Sequence, residues 1–294
     1  MTPPSSEPPP PPSYPTYASL RLLRSPRPGV VIVELGGGTA PTPLNALTDA
    51  TFTDLPSALA AAATDAGVRA VVLRGAAQGG CFCNGVALPE LFALSALLDG
   101  PCEARGRARL QARVQQWQRG VTSLEDCPLP VVAAVHGPCV GGGLALSAAC
   151  DLRYASVDAI FASKEVDVGV TADLGDLGRL PRLVGDGPAR DWCLTGREVP
   201  ATEAAARGFV TRGDLKDRQA VWAAAEDAAA ALAAKSPVAV AGTKRVLLRA
   251  RDVSLAAHLD GMATWAAAFL PSADVRELAA AAAGGRAPVF AGKW

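Results

Sequence analysis

Histidine is nearly missing from this chain: His136 and His258 are the two it has in 294 residues. Cys81 and Cys83 flank one residue rather than two, so no zinc-ligand spacing remains and no metal is expected. Long hydrophobic runs are missing as well. No uninterrupted apolar stretch approaches the roughly 20 residues that cross a bilayer, and the Ala-rich stretches are broken by charges at helical intervals. Nor is there an excess of either charge, since 28 Lys and Arg balance 28 Asp and Glu. That balance removes the global field that draws a protein to nucleic acid, and an aromatic-plus-basic cluster for RNA is also lacking. The seven cysteines are odd in number and irregular in spacing, which suits a reducing intracellular compartment without disulfides. Gly36-Gly37-Gly38 is followed by Thr39-Ala40 instead of Gly-Lys-Ser/Thr, so it reads as a strand end and not as a phosphate loop. The expected partner is a small molecule.

Half of the residues are apolar, enough for a substantial core. Residues 1–16 form a tail of almost only Pro, Ser and Thr, a composition expected to stay disordered. That tail shows neither a secretory apolar stretch nor the early arginines of a mitochondrial presequence, and the carboxyl end is not Ser-Lys-Leu. The compartment is left unresolved by these signals.

From residue 17 onward, β-branched runs at Val30–Leu35, Ala70–Leu73 and Val131–Val135 alternate with helical segments such as Thr51–Ala66, which predicts an α/β class. Leu110, Val114, Trp117, Val121 and Leu124 recur at three- and four-residue steps, predicting an amphipathic helix between Ala104 and Asp126. After Pro200 the pattern predicts successive helices without intervening strands, at 201–207, 220–234, 238–249 and 255–269. No internal repeat and no linker appear, so 17–200 is expected to be the core and 201–294 a helical region of the same domain.

Three segments could hold chemistry. Val131 to Val135 leads through His136-Gly137-Pro138 to Gly141-Gly142-Gly143 and an apolar helix. Glycines at a helix amino terminus let a ligand approach free N–H groups, and equally allow tight helix packing. The turn Cys83-Asn84-Gly85-Val86-Ala87 follows the strand at 71–73 and is otherwise an ordinary loop; with the first it could aim two N–H groups at one carbonyl oxygen. Glu165 and Asp173 could form an acid–base pair, or Asp173 could cap a helix while Glu165 pairs with Lys164 or Arg179. His136, at a strand end, reads as a packed or hydrogen-bonded core histidine, and Trp265 with Phe269 as core or subunit packing.

Val135-His136-Gly137 with Gly141-Gly142-Gly143, then Ala149-Cys150-Asp151-Leu152-Arg153-Tyr154, resembles the central signature of the enoyl-CoA hydratase/isomerase (crotonase) superfamily. Lys164 to Gly169 through Asp173, Arg179-Leu180-Pro181, Lys235 to Val240 and Thr243-Lys244 are similar to its Δ3,5-Δ2,4-dienoyl-CoA isomerase branch, a likeness running from about Tyr17 to Phe269. The resemblance implies a spiral of βαβ units with a helical carboxyl-terminal trimerisation region, assembled as a homotrimer or homohexamer. It implies an acyl-CoA thioester substrate with no separate cofactor, and isomerisation of 3,5- to 2,4-dienoyl-CoA in fatty-acid β-oxidation. It places an oxyanion hole on the Val86 and Gly142 main chain, substrate contacts on Cys83, Asn84, Gly85, Val86, Ala87 and Gly142, and proton transfer on Glu165 and Asp173. Two departures stand out: Ala145 where relatives carry an acid, which argues against hydration, and Ala87 where aspartate is usual. A hydratase and a catalytically weakened acyl-CoA-binding homologue are the alternatives.

Overall fold

Val30-Val31-Ile32-Val33-Glu34-Leu35 is apolar at five of six positions with no alternation, the mark of a strand covered on both faces. In a computed structural model, which describes residues 14–293, it is strand β2 (Val30–Leu35), hairpin partner of β1 (Leu20–Arg24) with Leu20 opposite Leu35. Helix α1 (Asp49–Thr64) leads to β3 (Ala70–Gly75), and α2 (Leu88–Ala96) and the long α3 (Glu103–Asp126) lead to β4 (Val131–Val135). A short strand β5 (Pro138–Val140) runs into α4 (Gly142–Ala149), followed by β6 (Leu152–Ser156) and β7 (Ile160–Ala162). Helices α5 (Asp176–Val184) and α6 (Asp186–Thr195), β8 (Val199–Pro200), α7 (Ala201–Ala206) and β9 (Arg212–Leu215) come next. The chain ends in α8 (Arg218–Ala233), α9 (Pro237–Arg249), α10 (Leu255–Phe269) and α11 (Ala273–Ala283).

Among these elements the main sheet has six strands in the order β1-β2-β3-β4-β6-β9, parallel from β2 onward, and β5, β7 and β8 form a second, small sheet. Val31, Val33, Leu35, Val71 and Leu73 point into the larger core with α1, α3 and α4. Val30, Ile32, Val72, Val132 and Ala134 point the other way, under Val221, Ala225 and Ala229 of α8. The four-residue spacing of these small α8 residues puts them on one stripe that approaches the sheet closely.

The expectation of helices alone after Pro200 is corrected by β9, which joins the main sheet beside β6. Arg212-Gly213-Asp214-Leu215 has none of the β-branched residues that favour strands, and it forms an edge where only one neighbour is needed. Gly213 is required because a β-carbon there would lie 2.6 Å from the Ala201 carbonyl oxygen. Residues 1–13 of the expected tail lie outside the described residues; Tyr14, also placed in it, donates its hydroxyl to Asp65 Oδ2 at 2.7 Å.

The carboxyl-terminal region is tied to the core by a buried cation. Lys244 of α9 donates to the carbonyls of Leu124 (2.7 Å) and Leu129 (3.0 Å) and pairs with Asp151 Oδ2 at 2.8 Å. Asp151 in turn accepts from the Val131 N–H, so one carboxylate joins β4, β6 and α9. Helix α10 differs: none of its residues is buried, and Leu255, Leu259 and Met262 are exposed.

Candidate active site

Two turns meet, one after β3 and one between the short strand β5 and helix α4. Leu47 donates to the Gly85 carbonyl and the Leu47 carbonyl accepts from Ala87, both at 2.8 Å. This strand-like alternation turns the intervening Val86 N–H away from Leu47. The Val86 N–H has no partner among the described residues, and neither has that of Gly142, the first residue of α4, whose position leaves its donor free. The two turns are in close contact: a β-carbon on Gly85, where φ is +84°, would lie 3.6 Å from Gly142 N, and one on Gly142 would lie 3.3 Å from Val86 Cγ2. A β-carbon on Gly143 would lie 2.6 Å from the Cys83 carbonyl oxygen, so this glycine sets how closely α4 approaches the first turn. Two free N–H groups at adjoining turns, one at a helix amino terminus, can polarise a carbonyl oxygen and hold the negative charge that develops on it.

Both candidate carboxylates open onto the same space, a cavity of about 560 Å³ also lined by Val86, Gly142, Leu91 and Trp117. Glu165 begins a one-turn 3₁₀ segment after β7, and Ser163 Oγ donates to its Oε2 at 2.9 Å. It pairs with neither expected cation: Lys164 bridges to Asp167, and Arg179 binds Glu125. Asp173 caps no helix, since α5 starts after Gly175 with no side-chain cap. Its loop is instead clamped by Gln118 Nε2 on the Asp173 carbonyl (2.8 Å) and Arg179 Nη1 on the Leu174 carbonyl (3.2 Å). Asp173 is exposed as a residue, yet the protein wall around its carboxyl raises its pKa by desolvation, with its own N–H holding down part of the rise.

Asn84, Gly85 and Ala87 also line the cavity, but Cys83 does not. Its side chain is fully buried behind the wall, and its carbonyl accepts from Val140 at 2.9 Å, linking the two turns. His136 is 2% exposed, packed with neither ring nitrogen hydrogen-bonded among the described residues; burial and the nearby Arg218 lower its pKa to about 4, keeping it neutral. Trp265 and Phe269 stack at 4.2 Å. Among the described residues no group of three or more His, Cys, Asp or Glu could hold a metal ion.

One acid near the site was not anticipated. Asp176, the first residue of α5, is buried, and the loss of solvent together with the Glu165 charge raises its pKa to about 7. An acid in a helix's first turn is ordinary in a sequence. The available signal was its place in the stripe Asp176, Leu180, Val184, which is the buried side of α5.

The chain belongs to the enoyl-CoA hydratase/isomerase family, whose profile matches residues 29–293. Within that family it is similar to the peroxisomal Delta(3,5)-Delta(2,4)-dienoyl-CoA isomerase of Arabidopsis thaliana, 40% identical over 252 residues that cover 85% of this chain and 90% of that one. The mitochondrial Delta(3,5)-Delta(2,4)-dienoyl-CoA isomerase of Homo sapiens is 37% identical over 261 residues, 88% of this chain and 77% of that one. A solved structure of a putative enoyl-CoA hydratase from Streptomyces coelicolor A3(2) matches with a TM-score of 0.82 at 32% identity, covering 99% of both chains.

Proposed function

We propose that this protein isomerises 3,5-dienoyl-CoA to 2,4-dienoyl-CoA, as the names of its dienoyl-CoA isomerase relatives suggest, within fatty-acid β-oxidation. The observation that carries the reading is one largely apolar cavity bearing two carboxylates, Glu165 and Asp173, and two unpartnered N–H groups, on Val86 and Gly142. The thioester oxygen accepts from both N–H groups. Glu165 removes a proton from C2, and the electron pair spreads from the enolate oxygen along the diene to C6. Asp173 donates its proton to C6, and the double bonds settle at C2 and C4. Glu165 has gained the proton that Asp173 has lost, and exchange with water resets both. The raised pKa of Asp173 favours the protonated form that this step needs. No cofactor beyond the coenzyme A of the substrate takes part.

Hydration is the weaker alternative. It calls for two carboxylates on one water, and α4, buried along its whole length, offers Ala145 at the position where the family resemblance expects an acid. The apolar face of α10, unburied in the single chain, supports assembly as a homotrimer or homohexamer through the carboxyl-terminal helices. Among the described residues no helix is long and apolar enough to cross a membrane. The relatives' names carry over a mitochondrial or peroxisomal site of action.

The reading is tested by following the ultraviolet band of the conjugated 2,4-dienoyl thioester with the wild type and with Glu165→Gln and Asp173→Asn. Each variant should lose about a hundredfold or more, the low end of what positioned acid–base groups supply. A folded wild-type protein that binds CoA esters and forms no band would overturn it in favour of an acyl-CoA-binding role.

A further inference from the structure

Gln118 Nε2 holds the Asp173 carbonyl, so α3 runs beside that loop, and the preceding residue of α3, Trp117, lines the cavity with Leu91 and Leu94 of α2 and with Leu174. Among the described residues Trp117 is the one aromatic side chain on the cavity wall, and it is held from several directions. It is 2% exposed. Its Nε1 donates to Asp49 Oδ1 at 2.8 Å, and Arg113, one turn earlier on α3, pairs with the same oxygen at 2.8 Å. The Phe52 ring stacks on the indole at 5.0 Å, with 18° between the planes. Phe52 has no room to retreat, because α1 and α3 meet there through their backbones: a β-carbon on Gly120 would lie 2.8 Å from the Phe52 α-carbon. Phe52 does not line the cavity. It lines instead a groove of about 580 Å³ between α1 and α3, with Pro56, Leu59 and Ala60. Two stacked rings thus part the cavity from that groove.

With Glu165 acting at C2 and Asp173 at C6, the saturated remainder of the acyl chain begins beside Asp173 and continues toward α3. We propose that Trp117 is the specificity-determining residue that closes the acyl end of the cavity and sets the longest chain the enzyme accepts. This inference rests on reading the cavity as the acyl-CoA site with Asp173 at C6. Each methylene laid against Leu91, Leu94 and Leu174 leaves water and strengthens binding until the tail reaches the indole. The next one finds no space, because a ring stacked on a second ring and hydrogen-bonded to a paired carboxylate yields only at the cost of overpacking. The rival gate is α2 on the facing wall. None of its residues is buried, so a tail that pushed α2 outward would escape any limit set by Trp117.

Titration calorimetry with saturated acyl-CoAs of increasing length tests this on the wild type, Trp117→Phe and Trp117→Leu, with circular dichroism to confirm folding. Wild-type affinity should rise with each added carbon and then stop. The first chains past that limit should bind Trp117→Leu about tenfold or more tighter than wild type, the lower range of what one methylene contributes in an apolar pocket, with Trp117→Phe in between. The kcat/KM for 3,5-dienoyl-CoAs of graded length should move its limit in the same way. On the wild type alone, an acyl-CoA of limiting length with a diazirine at its tail should label Trp117 on irradiation, which decides the matter if neither variant folds. A limit that stays put in a folded Trp117 variant, affinity that rises without a limit in the wild type, or a label confined to α2 would overturn the proposal. The binding and labelling arms need no turnover. A wild type that forms no 2,4-dienoyl product while its binding limit moves in Trp117→Leu therefore counts against the isomerase reading and for the Trp117 limit.

Discussion

Ser163 Oγ donates to Glu165 Oε2, and the other oxygen, Oε1, lies over Gly141, 3.0 Å from where a β-carbon on that glycine would stand. The carboxylate is thus held with one oxygen fixed by the hydroxyl and the other turned toward the residue just before the free Gly142 N–H. Oε1 is the oxygen placed to take a proton next to a carbonyl polarised by that donor.

Removing the hydroxyl should therefore loosen the base and leave the fold intact. A hydrogen bond to a charged group contributes about 1.5–3 kcal/mol, so Ser163→Ala should lower kcat by roughly ten- to a hundredfold with a smaller change in KM. Steady-state kinetics on 3,5-dienoyl-CoA checks this; an unchanged kcat would mean that Ser163 does not orient the base.

Gly143 holds α4 against the Cys83 carbonyl. Gly143→Ala must push the helix back and separate the Gly142 N–H from that of Val86. Loss of one oxyanion donor costs about 2.7–4 kcal/mol of transition-state stabilisation, so kcat should fall by about a hundredfold or more. Overpacking should also lower stability by about 1–3 kcal/mol, measured by denaturant titration.

Asp176 and His136 give the folding stability opposite slopes with pH. The folded pKa of Asp176, about 7, exceeds the 3.8 of a free aspartate, so between these values the folded state keeps a proton that the unfolded chain has released. Stability falls as pH rises through that window and levels off above it. His136, at about 4 against 6.5, makes stability rise with pH over most of the same range. Asp176→Asn should leave the rising arm alone: its gain over wild type is near zero around pH 4 and reaches a few kcal/mol above neutrality, bounded by about 1.4 kcal/mol per pKa unit. Denaturant midpoints at a series of pH values measure it.

The fold could be read in the sequence where both faces of a strand are covered. Val30–Leu35 and Val131–Val135 are continuous apolar runs because helices pack on each side, and both strands have the bounds expected. Leu255–Phe269 likewise has its expected bounds. Strand β9 could not be read that way, because an edge strand of Arg, Gly, Asp and Leu is specified by its neighbour Tyr154–Ser156 and not by its own residues. At the site, spacing alone left Glu165 and Asp173 open to ion pairing and helix capping. The structure removes both readings, since Lys164 and Arg179 bind other acids and α5 is left without a side-chain cap. Asp176 was missed because nothing local tells a solvated first-turn acid from one on the buried side of its helix.

The most direct test of the assigned roles is isotope exchange in deuterium oxide. The account predicts that the wild type places deuterium at C6 of the 2,4-dienoyl product. It also predicts that Asp173→Asn goes on exchanging the C2 proton of the substrate while forming little conjugated product, because Glu165 still works beneath the oxyanion donors. Glu165→Gln should do neither. Continued C2 exchange in Glu165→Gln, or C6 labelling at the wild-type rate in Asp173→Asn, would contradict the account.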